Sequence, residues 1–77
     1  MNPKEKTYKE IFCGRLLDLR HKMRLSQENM ADMLGISASK YAKLEEGKTR
    51  VYLGIMELMC KTFKMDILYF LGRDGFQ

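Results

Sequence analysis

The sequence predicts an all-α fold, a compact bundle of five helices. Its 77 residues include one Pro and six Gly, so long stretches contain no residue that breaks a helix. Apolar residues make up 45% of the chain and charged residues 31%, a balance typical of a folded domain. Apolar residues also recur in steps of three and four, which places them on one helical face. We expect one domain over 1–77, with a core over about 8–72 and flexible ends.

The first predicted helix begins at Tyr8. The apolar residues that share its inner face are Tyr8, Ile11, Phe12, Leu16, Leu19 and Met23. The polar residues between them are interpreted as a solvated face. The single His, His21, lies in the last turn, where a basic side chain favours the negative end of the helix dipole.

Two short helices are predicted on either side of a break at Gly35. Ser26 can cap the first, over 27–34, because its hydroxyl can accept a free amide near the helix start. Ser37 can cap the second, which runs from 38 to about 46 and ends before a second glycine. Gly35 follows the first helix, where a left-handed backbone costs glycine least, so we interpret 35–37 as a turn. The residues predicted to face inward are Met30, Ala31, Leu34, Tyr41 and Leu44.

Two further helices complete the predicted bundle. The apolar spacing that marks the fourth is set by Leu53, Met56, Met59, Cys60 and Phe63. Gly54 weakens its first turn by up to about 1 kcal/mol relative to Ala. Asp66 can cap a short fifth helix that Gly72 ends. The apolar members of that helix are Ile67, Phe70 and Leu71.

Composition argues against several classes of function. No run approaches the roughly 18 apolar residues of a membrane span, and the N-terminus has no apolar signal core, so we expect a cytoplasmic protein without membrane association. Two Cys and one His do not supply the about four ligands of a structural zinc site. Cys13 and Cys60 are expected to be buried free thiols rather than a disulfide. We find no nucleophile with a base and no carboxylate dyad, and therefore expect no enzymatic activity, no cofactor and no small-molecule ligand.

The two short helices around Gly35 have the form of a helix-turn-helix, a motif that places its second helix in the major groove of DNA. The residues that carry the pattern are Ser26, Gln27, Ala31, Gly35, Tyr41, Leu44, Glu45 and Gly47. This pattern closely resembles the lambdoid phage repressor and Cro family, also called the xenobiotic-response-element type, over roughly 11–71. The resemblance implies a lambda-repressor-like domain and a sequence-specific double-stranded DNA-binding transcriptional regulator, a repressor that reads the major groove with helix 38–46.

The resemblance also implies roles for matching positions. The positions that match the base-reading residues of the family are Ser37, Ala38, Ser39 and Lys43. Those that match its phosphate-contacting residues are Ser26, Gln27, Lys40, Lys48, Thr49 and Arg50. Arg20 matches the position that forms an ion pair with Glu45, which would hold the reading helix in place. Without the resemblance, Lys40 and Lys43 would be the solvated side of an amphipathic helix, and Ser37 only a cap.

The sequence departs from the family pattern at several positions. The family often has a Pro near Val51 and a Ser near Tyr52 to cap the fourth helix, and neither is present. Glu46 adds a negative charge close to the expected phosphate path. Together with a net charge of only +4, this keeps a second function open: an antitoxin or anti-repressor-like module whose main partner is another protein.

A small module makes few phosphate contacts, so we expect a homodimer on a palindromic operator. The candidate dimer surface is the fifth helix with the C-terminal tail, through Tyr69, Phe70 and Phe76. The alternative is that Tyr8 and Phe12 cover the fifth helix within one chain and leave Tyr69 exposed.

Overall fold

The computed structural model describes residues 6–73, which form five α-helices and no strand. The helices are α1 (Tyr8–Met23), α2 (Gln27–Leu34), α3 (Ala38–Glu45), α4 (Leu53–Phe63) and α5 (Ile67–Phe70). Helix α1 packs against α3 and α5, α2 packs against α3 and α4, and α4 packs against α5. The radius of gyration is 12.3 Å, as expected of a compact bundle, and the all-α prediction is confirmed. None of the helices in this part of the chain is long and apolar enough to span a membrane.

The first three helices each begin at a residue whose side chain accepts a backbone amide. Ser26 and Ser37 cap α2 and α3, as predicted. Thr7 caps α1 and forms a capping box with Glu10, whose carboxylate accepts a hydrogen bond from the Thr7 amide at 2.8 Å. Gly35 ends α2 at φ 69°, so the predicted left-handed turn residue is confirmed. The chain therefore turns sharply between α2 and α3 without backbone strain, because glycine readily adopts a left-handed conformation.

Two other helices end on a left-handed residue that is not glycine. Arg24 after α1 and Lys64 after α4 both have φ 55°, in the left-handed region. The amide of Leu25 bonds to the carbonyl of Arg20 at 3.2 Å, which closes the end of α1 in the manner of a Schellman motif. A side chain at such a position costs about 1 kcal/mol or more, and the sequence carries no glycine that would have indicated these ends.

The core draws side chains from all five helices. Its buried members are Phe12, Leu16, Leu19, Met30, Ala31, Leu34, Tyr41, Leu44, Ile55, Met56, Met59 and Phe70. The inward residues predicted for α2 and α3 are confirmed. In the first turn of α4 the prediction was wrong, because Leu53 is 76% exposed while Ile55 is 2% exposed. Ile55 lies four residues before Met59 and therefore shares its buried face. Leu53 lies at the outer edge of that face. Tyr8, at the start of α1, is also exposed rather than inward.

The environment of α5 changes the candidate dimer surface. Phe70 is fully buried and packs against Phe12 with ring centroids 5.7 Å apart, so its predicted place in a dimer surface was wrong. The hydroxyl of Tyr69 donates to the carbonyl oxygen of Arg15 at 3.2 Å, and the Arg15 guanidinium lies 5.0 Å from the ring centroid. Tyr69 is therefore packed against α1 rather than left exposed. Phe76 lies outside the described residues.

The two cysteines are free thiols, as predicted, but they are partly rather than fully buried. The Cys13 thiol donates to the carbonyl oxygen of Leu44 at 3.3 Å, a weak bond between α1 and α3. Burial raises the pKa of the Cys13 thiol and of the Cys60 thiol. Both side chains therefore act as small apolar groups in the packing between helices.

Candidate nucleic-acid interface

Helices α2 and α3 form two arms joined by a turn at 35–37. Ala31 is 1% exposed where the two helices pack together, and a larger side chain there would force them apart. The amide of Ile36 bonds to the carbonyl of Ala31 at 3.0 Å, and the Ile36 side chain packs against the core. The turn thus fixes the direction of α3 relative to α2.

Helix α3 has one buried face and one exposed face. Tyr41 and Leu44 are both 0% exposed and hold the inner face on the core. The four residues predicted to read bases are all exposed at the outer face or at its N-terminal end, and they are Ser37, Ala38, Ser39 and Lys43. The Ser37 hydroxyl accepts the Lys40 amide at 3.0 Å, so Ser37 acts as a cap whatever else it contacts.

The start of α2 carries two of the predicted phosphate contacts. The Ser26 hydroxyl accepts the Asn29 amide at 3.0 Å and donates to the Asn29 side-chain oxygen at 2.8 Å, so it is engaged in capping. The Gln27 side-chain nitrogen donates to a carboxylate oxygen of Glu45 at 2.9 Å. The structure thus places Gln27 between the start of α2 and the end of α3, half-buried.

The other predicted phosphate contacts lie on α3 and just after it. Lys40, Lys48 and Arg50 are exposed and Thr49 is half-buried. The Lys48 ammonium lies 3.2 Å from a carboxylate oxygen of Glu46, and both side chains are largely exposed. Such an exposed pair contributes little stability, so a phosphate can replace Glu46 as the partner of Lys48.

Glu45 is the one buried charged residue in the described part of the chain, and four hydrogen bonds converge on its carboxylate. Arg20 donates from Nε to Oε2 at 2.7 Å and from Nη2 to Oε1 at 3.1 Å, a bidentate ion pair. The Tyr41 hydroxyl donates to Oε2 at 2.7 Å and Gln27 to Oε1 at 2.9 Å. Arg20 also donates to the carbonyl oxygen of Leu25 at 3.1 Å. One carboxylate thus connects α1, α2 and α3.

The protonation states in this cluster follow from its hydrogen bonds. Burial raises the pKa of Glu45, but the bonds from Arg20, Tyr41 and Gln27 outweigh it and hold that pKa below its ordinary value. The bond to Glu45 raises the pKa of Arg20. Burial, followed by the bond to Glu45, raises the pKa of Tyr41 well above its ordinary value, so its hydroxyl remains a donor. At neutral pH the cluster is a fully formed ion pair with a neutral phenol.

The sequence model of the family described as helix-turn-helix domain matches residues 12–67. The chain belongs to the helix-turn-helix domain family. The match begins in α1, ends at the first residue of α5, and includes both helices of the motif and the turn between them. Comparisons with curated proteins and with solved structures found no match. Within the helix-turn-helix family, the narrower resemblance to lambdoid repressors and Cro remains a prediction.

Two of the contacts with Glu45 in this helix-turn-helix domain were not predicted, those of Tyr41 and Gln27. Tyr41 precedes Glu45 by four residues, a spacing that places both on one helical face, so their contact could have been expected. No local spacing indicates Gln27, which lies 18 residues from Glu45 along the chain. Its contact becomes visible only when the crossing of α2 and α3 is known.

Proposed function

We propose that this helix-turn-helix domain is a sequence-specific regulator of transcription that binds double-stranded DNA with α3 in the major groove. The observation that supports it is the division of α3 into two faces. The inner face is held by Tyr41, Leu44 and the Glu45 cluster, while the outer face presents short side chains and two lysines to solvent. A rigid helix with such an outer face suits the edges of base pairs. We further propose that it acts as a repressor by occupying an operator, without enzymatic activity, in the cytoplasm.

Base reading is assigned to the outer face of α3. Lys43 can donate to the O6 and N7 acceptors of guanine. Ala38 can contact a thymine methyl group, and the hydroxyls of Ser37 and Ser39 can bond to several base edges. These contacts would distinguish sequences, because each base pair presents its own pattern in the major groove.

Phosphate contacts are assigned to the two ends of the motif. Lys40, Lys48, Thr49 and Arg50 lie on or directly after α3 and provide three positive charges. Gln27 has two amide hydrogens, and only one is needed for Glu45. The other can reach a phosphate beside the backbone amides that the first turn of α2, which begins at Ser26, leaves without an intrahelical partner. In this role Gln27 would link a bound phosphate to the cluster that holds α3.

We also propose a homodimer on a palindromic operator, because one copy of a motif this small makes few contacts. Tyr8 is 72% exposed, Leu68 44% and Ile67 36%, and the first two line one groove between α1 and α5. We assign the dimer surface to these exposed apolar residues instead of Tyr69 and Phe70. Binding to a palindromic operator requires the two copies to present their α3 helices about 34 Å apart, one turn of B-DNA.

Selection of bound sites from random DNA, followed by titration of the selected duplex with salt, tests this function. We expect a defined site and a binding constant that falls steeply with salt, with a slope of about −0.9 per neutralised phosphate. Failure to retain any sequence would contradict the proposal. Tight association with a protein that changes little with salt would instead favour the antitoxin or anti-repressor-like function, for which the exposed apolar residues and Glu46 offer some support.

A further inference from the structure

The start of α4 departs from helix preferences at two neighbouring positions. Tyr52 is the N-cap, but its side chain makes no capping hydrogen bond. Gly54 lies in the first turn of this 11-residue helix, and glycine disfavours a helix relative to alanine. Ser at the first position and Ala at the second would each form a more stable helix start. Departures of this kind occur where a residue serves another purpose than the stability of the helix.

The Tyr52 ring lies against Gly54 and beneath Lys40. A Cβ atom at Gly54 would be 3.1 Å from Cε2 and 3.3 Å from Cδ2 of the ring, so the ring would have to move by a few tenths of an ångström. The Lys40 ammonium lies 6.0 Å from the ring centroid, within reach of a cation–π interaction. Tyr52 is 51% exposed, so this contact is at the surface. The missing side chain at Gly54 therefore leaves the space that the ring occupies beside α3.

We propose that Tyr52 is a positioning residue for DNA binding, whose ring holds the Lys40 ammonium in place for a backbone phosphate. This rests on the proposed function of α3. A lysine loses much rotamer freedom when it is immobilised, so a side chain that is already oriented binds at a lower entropic cost. An aromatic ring also leaves the positive charge available. Lys48 differs in this respect, because its neighbour Glu46 is a carboxylate that must first be displaced.

The test compares Tyr52→Leu, which removes the ring, with Tyr52→Phe, which keeps the ring and removes only the hydroxyl. Affinity is measured on the duplex that the unchanged protein selects. We expect Tyr52→Leu to weaken binding about two- to fivefold, and Tyr52→Phe to bind as the unchanged protein does. In a Lys40→Ala background, Tyr52→Leu should have no further effect. Lys40→Ala itself should reduce the salt slope by about 1.

A second substitution separates positioning from helix stability. Gly54→Ala should raise the melting temperature, since Ala favours the helix and a half-exposed ring can move aside. It should nevertheless weaken DNA binding slightly, because a shift of the ring by a few tenths of an ångström weakens its contact with Lys40. In the Tyr52→Leu background, Gly54→Ala should leave the affinity unchanged. Opposite changes in stability and affinity are not expected from a residue that serves only the fold.

The contact can also be measured without DNA. The ring should shift the proton resonances of the Lys40 ε-methylene group upfield in the free protein and in Tyr52→Phe, and Tyr52→Leu should abolish that shift. No shift in the unchanged protein, equal weakening by Phe and Leu, or an undiminished effect of Leu without Lys40 would each overturn the proposal. If the unchanged protein selects a site and Tyr52→Leu binds it equally well, only this proposal fails. If the unchanged protein binds no DNA, both proposals fail.

Discussion

Replacing Arg20 with Ala removes two of the four hydrogen bonds to Glu45 and the only cation in contact with it among the described residues. The Glu45 side chain is 5% exposed, so its charge would remain buried with only Gln27 and Tyr41 as partners. Breaking a buried pair in this way costs about 3–5 kcal/mol. Two features place the expected loss near 3 kcal/mol. The Arg20 side chain is itself 17% exposed, so water can enter its space, and Glu45 can take up a proton.

Proton uptake limits one part of this loss, the penalty for the unpaired Glu45 charge in the variant. Neutralising a carboxyl of ordinary pKa, about 4.3, costs roughly 3.7 kcal/mol at pH 7. A loss of about 3 kcal/mol corresponds to a fall of roughly 12–24 °C in melting temperature for a domain of this size. The stability of Arg20→Lys should lie between those of the unchanged protein and Arg20→Ala, because Lys keeps the charge but not the bidentate geometry.

Chemical denaturation at pH 7 measures the free energy of unfolding. Lys61→Ala is the matched control, because it also breaks an ion pair, to Glu57 at 3.7 Å, but one whose side chains are 74% and 69% exposed. The control should change stability by no more than about 0.5 kcal/mol. Equal losses in Arg20→Ala and Lys61→Ala would refute the argument that the Glu45 cluster is a buried structural element.

The pH dependence of the free energy of unfolding independently checks the direction of the Glu45 pKa shift. The folded-state pKa of Glu45 is lowered, so its contribution to stability is present above the ordinary glutamate pKa and is lost as pH falls through the lower folded value. Without Arg20 the folded pKa should instead be raised by burial, and the variant should gain stability as Glu45 is protonated. The difference between the unchanged protein and Arg20→Ala should therefore shrink from pH 7 to pH 4. A constant difference over that range would show that Glu45 is not the group responsible.

Three further outcomes are expected. Lys43→Ala should relax the sequence preference at one position of each half-site, whereas Lys48→Ala should weaken binding to specific and random DNA alike. If a competition assay shows that Lys43→Ala also lowers the affinity for specific and random DNA by the same factor, Lys43 does not read bases. Lys64→Gly should raise the free energy of unfolding by up to about 1 kcal/mol, since φ is 55° there, and a loss of stability would contradict that conformation. Leu68→Asp should leave the fold intact and abolish any dimer seen by sedimentation, and with it tight binding to a palindromic site, while an unchanged dimer would place the contact elsewhere than beside Tyr8.

Local chemistry explains which parts of the fold could be predicted from the sequence. The boundaries of α2 were predicted because Ser26 and Gly35 act on their own backbone neighbours, within three residues. The ends of α1 and α4 carry no such signal, because Arg24 and Lys64 adopt a conformation that their side chains disfavour. The choice between Leu53 and Ile55 also depended on packing, since both fit a helical period and only the position of the other helices distinguishes them.

The candidate site was predictable to a different degree at each residue. The resemblance alone implied that Arg20 and Glu45 meet, and the structure places their closest atoms 2.7 Å apart. Gln27 was expected to contact phosphate, and its contact with Glu45 depends on a helix crossing that no local pattern encodes. The stacking of Tyr52 beneath Lys40 was not predicted, although the absence of a capping Ser and the presence of Gly54 marked that region as atypical.

The two faces of α3 separate the effects of substitutions into two groups. Changes at Tyr41 or Leu44 remove buried contacts and should lower stability before they alter sequence preference. Changes at Lys43 should alter preference and leave stability nearly unchanged, because its side chain is exposed. Gln27 belongs to both groups, since it bonds to the buried carboxylate of Glu45 and lies at the exposed start of α2. If a phosphate binds Gln27, one hydrogen bond connects it to Glu45, the residue that holds α3. Contact with the DNA backbone and the position of the reading helix are then coupled through a single side chain.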